Sequence, residues 1–143
     1  HDLGRVIFEL VCPFEFKKAI DLSQKEHINL FKAEKDLIGL DHTELSIWLS
    51  EKLHFSQNIR QAIRRHHDPF ATMPNFRNIV CLIHIADYIS HYKDLGASGD
   101  PCKPLIYQDA LSEIGLEPKD LLSLLTKLEG KKDLLEKSFF GKK

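Results

Sequence analysis

His1-Asp2, His42, the doublet His66-His67 and Asp87 are the residues of this 143-residue chain whose types suit chemistry on a phosphate ester. They offer imidazole nitrogens and carboxylate oxygens with no thiolate among them. That mixture suits a divalent metal (Mn, Fe, Zn or Mg, as one ion or two) better than a structural zinc–cysteine site. His1-Asp2 supplies adjacent nitrogen and oxygen ligands, and an aspartate can bridge two ions. A metal pair would activate water and clamp phosphoryl oxygens. Asp87 is the most telling single residue. It lies on the helix containing Phe76, Ile79, Val80, Ile83 and Ala86, and Val80 and Ile83 stand seven and four residues before it. A carboxylate on a core-facing stripe costs several kcal/mol unless it is paired or bound to a cation. Metal ligation removes that cost, and so would a hydrogen bond to a neighbouring helix end or a basic side chain.

His66 and His67 close a helix, where adjacent side chains point about 100° apart. Two ligands for one ion would require the helix terminus to relax. One inward ligand, or two histidines serving two neighbouring ions, is easier, and a core histidine beside an exposed cap is the ordinary alternative. Arg60, Arg64 and Arg65 lie on the same helix. They could hold phosphate oxygens, because arginine suits bidentate oxyanion recognition, although a solvated basic face is the ordinary reading. His84, Asp87 and His91 fall at i, i+3 and i+7, on one helix face. One straight helix rarely supplies three ligands to one ion, so His84 and His91 read as hydrogen-bond partners flanking Asp87. His27 and His54 have no acidic or histidine partner at useful spacing and read as surface or boundary residues.

The elements that must position these groups are helical almost throughout, since apolar residues recur at helical rather than alternating spacing. The pattern predicts an all-α bundle of six to eight helices in one domain, 1–143. The first helix runs from the chain start, as if already inside a helix, to about Leu10. It stops before Cys12-Pro13, because proline disfavours helix in the residue before it. Helices follow over 15–26 and 27–38, with Gly39 as a stop. Asp41 and Glu44 are spaced as a capping box, which puts His42 in the first turn of the next helix. Ser56 caps a helix over 57–67. A loop over 70–74 then leads to Pro74 at a first helical position and to the longest helix, 75–93. A Gly- and Pro-bearing loop occupies 96–104. A helical tail, 105–143, holds helices over 105–114 and 118–140, the last striped by Leu121, Leu122, Leu124, Leu125 and Leu128.

With a formal net charge of -1 and 43% hydrophobic residues, the chain can form one core. Its charge argues against nucleic acid or an anionic membrane surface as the main partner. No apolar run approaches the roughly 18 residues of a spanning helix, and no signal-peptide layout opens the chain. Cys12, Cys81 and Cys102 are odd in number and far apart. They read as reduced thiols of a cytoplasmic protein.

His1-Asp2-Leu3-Gly4-Arg5 resembles the HD-[IL]-G-K stretch of the HD superfamily of metal-dependent phosphohydrolases. Glu34, followed by Gly39-Leu40-Asp41-His42-Thr43-Glu44, is similar to a segment of its HDOD branch, the HD-related output domain of bacterial signalling proteins. His66-His67-Asp68-Pro69, Ile85-Ala86-Asp87-Tyr88 and the run from Ala110 to Leu122 resemble later segments of that branch, in the right order. The resemblance implies an all-helical bundle, with His1, Asp2, His42, His66, His67 and Asp87 as metal ligands and Asp2 as bridge. It implies a signal-transduction output or regulatory domain with an HD-type metal site, working with other signalling domains or proteins. The alternative is an active phosphohydrolase acting on a nucleotide, cyclic nucleotide or other phosphate-containing ligand. There Asp2 would hold metal, and Arg5 or Arg64 would stabilise transferring charge. Three departures matter. The histidine that active HD enzymes supply upstream of the HD pair is absent, and the chain reads as the later part of a longer domain. Arg5 replaces the usual lysine, which changes phosphate geometry. No G-Y-P follows His67, so the cyclic-di-GMP phosphodiesterase subgroup is not supported.

Overall fold

Short-range punctuation fixes where the helices of this chain begin. In a computed structural model describing residues 1–96 and 98–131, Pro13, Pro74 and Pro118 each open a helix. Their fixed φ suits the first turn, and an N–H there would have no intrahelical partner. The elements are α1 (Leu3–Val11), α2 (Pro13–Glu26), α3 (Leu30–Ile38), α4 (His42–Lys52), α5 (Gln57–Arg65), α6 (Pro74–Tyr92), α7 (Gln108–Glu113) and α8 (Pro118–Leu128). One 3-10 turn, Pro69–Ala71, overlaps the start of the loop expected over 70–74. No strand occurs among the described residues, and the architecture is all-α.

Several boundaries differ from the sequence expectation, each for a local reason. His1 and Asp2 precede α1 rather than continuing a helix, with Asp2 as its N-cap residue. Residues 27–29 connect α2 to α3, because His27 adopts a left-handed backbone (φ 50) that no helix continues through. The helix expected over 105–114 shrinks to Gln108–Glu113, since Tyr107 is extended. The last helix stops at Leu128, where Glu129 turns extended; the rest of its expected span, from 132, lies outside the described residues. Of its leucine stripe, Leu121 and Leu125 are buried while Leu122 and Leu124 are exposed.

Two apolar clusters hold the helices. Phe8, Phe16, Ala19, Leu30 and Ala33 join α1, α2 and α3. Cys81, Ile85, Ala110, Leu111, Leu121 and Leu125 join α6, α7 and α8. Full burial of a side chain such as Phe8 contributes roughly 1.5–3 kcal/mol. Helix α4 packs on α1 and α5, and α5 packs on α6, so the start of α1, the start of α4, the end of α5 and the middle of α6 form the ground between the clusters.

The approach of α1 to α4 depends on Gly4. A Cβ there would sit 2.8 Å from the Cα and carbonyl carbon of His42 and closer still to its carbonyl oxygen. The Gly4 N–H donates to Ser46 Oγ at 2.7 Å, and that hydroxyl donates to the His42 carbonyl at 2.6 Å. Backbone contact without an intervening side chain thus brings Asp2 and His42 together.

Candidate metal centre

The Asp41–Glu44 capping box forms in both directions. Asp41 Oδ1 accepts the Thr43 and Glu44 amides at 2.8 and 3.0 Å, and Glu44 Oε2 accepts the Asp41 amide at 2.9 Å. Helix α4 therefore begins at His42, whose side chain is fully buried. Glu34, on α3 and also fully buried, accepts both the His42 N–H (2.8 Å) and His42 Nδ1 (2.6 Å) on Oε2. An ionised carboxylate can only accept, so Nδ1 carries the proton and the Nε2 lone pair faces inward. Carboxylate support of this kind orients metal-binding imidazoles and raises their basicity.

His42 Nε2 lies 3.4 Å from Asp2 Oδ1 and 3.2 Å from His67 Nε2. His66, at the end of α5, points Nδ1 at the Ile63 carbonyl (2.9 Å), which fixes its lone pair on Nε2, 3.6 Å from Asp2 Oδ1. His1 Nε2 lies 3.5 Å from the same oxygen and 3.4 Å from Asp87 Oδ1. His91 Nε2 lies 3.5 Å from Asp87 Oδ1. His42, His66 and His67 form one set of three possible ligands and His1, Asp2 and His66 another, the ligand atoms of each lying within 4.8 Å of one another. With bonds of about 2.1 Å, two ligands on a tetrahedral ion stand about 3.4 Å apart, close to the spacings around Asp2 Oδ1.

The helix terminus does relax. Helix α5 ends at Arg65, His67 sits in the following turn, and the two imidazole centroids are 3.9 Å apart. The fit to a cation rests on unsatisfied atoms. Asp2 Oδ1 and His66 Nε2 are both buried without a hydrogen-bond partner, and a buried polar atom left so carries a penalty that a bound ion removes.

Protonation favours the same reading. Burial opposes ionisation of Asp2, but the Arg5 guanidinium and then the surrounding histidines hold its carboxyl down at about 2. Burial, followed by the neighbouring His67 and His1, pushes His66 down to about 2. Burial and the neighbouring His42 push His67 down to about 4. Near neutral pH both therefore present lone pairs. His1 goes the other way: burial lowers it, but the bond to Asp87 and the charges of Asp2 and Asp87 raise it overall.

Arg5 is a carboxylate hub. Its Nε donates to Glu34 Oε1 at 3.1 Å, Nη1 to Asp2 Oδ2 at 2.8 Å, and Nη2 stands 4.0 Å from Asp100 Oδ2. The fold thus gathers His1, Asp2, His42, His66 and His67, with Asp87 joined through His1 and Arg5 alongside. Arg64 is exposed on α5 and enters none of the cluster's hydrogen bonds or ion pairs. Arg60 is engaged with the Phe55 carbonyl at 2.9 Å. The expected pairing of Asp87 with two flanking histidines holds for His91 but not for His84, which bonds the His66 carbonyl and the Tyr107 amide instead. His27 and His54 are exposed, as read.

Glu34, Gly4 and Ser46 were not singled out as site residues. Glu34 carries the signal that marked Asp87: it sits on a core-facing stripe, four residues after Leu30 and beside Ala33, all three fully buried. A cavity of about 680 Å³ opens beside the cluster, lined in part by His1, Asp2, Asp87, His91, Asp100 and Lys103.

Residues 1–69 match the family model described as HDOD domain. The fold matches the crystal structure of an HDOD domain protein with unknown function from Geobacter sulfurreducens, with a TM-score of 0.83 and 22% sequence identity, over 97% of this chain and 51% of that one. This chain therefore spans about half the length of that protein. A search of curated proteins finds no match.

Proposed function

We propose, from the match of residues 1–69 to the HDOD domain family model, that this chain is the output or regulatory domain of a bacterial signal-transduction protein and binds a divalent metal. The observation that carries the metal is the pair of buried, unsatisfied atoms, Asp2 Oδ1 and His66 Nε2, facing each other at 3.6 Å. His42, His66, His67, His1 and Asp2 would hold one ion or two of Mn, Fe, Zn or Mg, with Asp2 as bridge and Asp87 beside it. A bound ion of this kind supplies a polarised water and a clamp for phosphoryl oxygens. Around it, Glu34 keeps the His42 lone pair inward and Arg5 keeps Asp2 ionised. In this reading the domain works in the cytoplasm alongside other signalling domains. No described helix is long and apolar enough to cross a membrane.

Arg5 favours binding over turnover. Three carboxylates surround its guanidinium, so a phosphate would have to displace one of them. Arg64 is exposed on α5 and enters none of the cluster's hydrogen bonds or ion pairs. The second reading, a phosphohydrolase acting on a nucleotide or cyclic nucleotide, is favoured by the cavity beside His1, Asp2 and Asp87, whose volume of about 680 Å³ falls in the ordinary range for small-molecule sites.

The test is manganese- and zinc-loaded protein with bis(p-nitrophenyl) phosphate, Asp2→Ala alongside. Metal uptake without turnover is expected for the regulatory domain. Turnover lost in Asp2→Ala would establish the hydrolase instead, and absence of uptake would remove both.

A further inference from the structure

His84 has no place among the proposed ligands, yet it is 2% exposed and both ring nitrogens are engaged. Its Nδ1 lies 2.7 Å from the His66 carbonyl oxygen, which can only accept, so Nδ1 carries the proton. Nε2 then holds the lone pair and accepts the Tyr107 N–H at 3.3 Å. A helix C-terminus leaves carbonyls without intrahelical partners, and His84 satisfies the one that immediately follows α5. That carbonyl belongs to the residue whose other end, Nε2, faces Asp2. Across the ring, Tyr107 is the residue before α7, and α7 enters the apolar cluster with α8 through Ala110 and Leu111. One imidazole therefore spans the distance from the ligand-bearing turn to the C-terminal helices.

We infer that His84 is a positioning residue that fixes the His66 turn and couples occupancy of the metal site to the segment at Tyr107. The inference rests on the metal-binding reading. The Tyr107 N–H holds the tautomer and orientation of His84; His84 holds the His66 carbonyl; the turn holds His66 Nε2 toward Asp2. A partner or ligand that draws Tyr107 away frees the imidazole to rotate and loosens the turn. Linkage makes the coupling reciprocal: what metal does to Tyr107, Tyr107 does to metal.

The test is zinc titration of the full chain as wild type, His84→Phe and His84→Asn, with amide hydrogen exchange followed at Tyr107. In the wild type, zinc is expected to slow Tyr107 exchange. His84→Phe keeps an aromatic ring and loses both bonds, so zinc should bind about 10–100-fold more weakly and leave Tyr107 exchange unchanged. His84→Asn retains a donor near the position of Nδ1, so its zinc affinity should stay near wild type while the Tyr107 response disappears. A merely structural role would lower both affinities without that separation. If His84→Phe fails to fold, the asparagine variant alone decides, because a wild-type Tyr107 response in it overturns the coupling. Wild-type affinity and response in both variants would overturn the whole inference. Failure of the wild type itself to take up zinc would instead overturn the metal-binding reading beneath it.

Discussion

Gly4→Ala sets two opposed effects against each other, and the structure decides the sign. Within a helix, alanine is favoured over glycine by roughly 0.5–1 kcal/mol, so with open space around it the substitution would stabilise α1. The space is not open. The new methyl would lie 2.8 Å from two backbone carbons of His42, roughly 1 Å inside ordinary carbon–carbon contact. The obstacle is main chain and cannot rotate aside. Relief requires α1 to withdraw from α4, which stretches the Gly4–Ser46 bond and carries His1 and Asp2 away from His42. Overpacking of this kind costs about 1–3 kcal/mol, which exceeds the propensity gain. For a chain of this size each kcal/mol corresponds to a Tm change of about 2–4 °C. Thermal melting with chelator present should therefore show Gly4→Ala several degrees below wild type. Isothermal titration should show zinc binding about 10–100-fold weaker, as when a group that orients ligands is lost. A variant that melts at or above the wild-type temperature and binds zinc unchanged would refute the claim that bare backbone contact at Gly4 sets the site.

Glu34→Gln should weaken zinc binding by about 10–100-fold, because an amide no longer enforces the Nδ1-protonated tautomer of His42; nitrogen chemical shifts of His42 should reveal a mixed tautomer, and an unchanged spectrum would contradict the assignment. Asp41→Ala should cost about 0.5–2 kcal/mol, since it removes the cap of α4 while leaving every proposed ligand in place; chemical denaturation with chelator measures it. The metal-free protein should lose stability as pH falls below about 6.5. There the unfolded chain protonates His66 and His67, while the folded chain keeps them neutral down to about 2 and about 4, so the unfolded state binds more protons and acid favours it. Asp2, held at about 2 against an ordinary 3.8, extends the loss to lower pH. His1, raised in the folded state, acts oppositely: its contribution is present below 6.5 and fades as pH rises through its folded value. Melts between about pH 7 and about pH 4.5 check the sum, and a Tm that holds steady or rises on acidification would contradict it.

Much of the site was legible because its signals are local. The Asp41–Glu44 box, the proline starts at Pro74 and Pro118 and the stripe that exposes Asp87 as an anomaly all operate within two helical turns. The relaxed end of α5 was legible only as a condition, because what ends the helix at Arg65 involves His84, from α6, eighteen residues beyond the His66 carbonyl it binds. Asp100, reaching the Leu30 amide at 2.9 Å across seventy residues, leaves no local signal. Neither does the role of Gly4, whose reason is a backbone on another helix. Glu34 was within reach, because a glutamate on the buried stripe of α3 poses the question that Asp87 posed on α6. The arginines divide by geometry that spacing could not supply. Arg5 turns in among Asp2, Glu34 and Asp100, while Arg64 is exposed on α5.

The most direct test of the account is elemental analysis of untagged protein purified without chelator, with Asp2→Ala and His66→Ala prepared in parallel. The account predicts one or two equivalents of a transition metal in the parent and a clear loss in both variants, each still helical by circular dichroism. A parent that carries no metal and takes up none of manganese, iron or zinc on reconstitution, or variants that retain the parent's full complement, would contradict it.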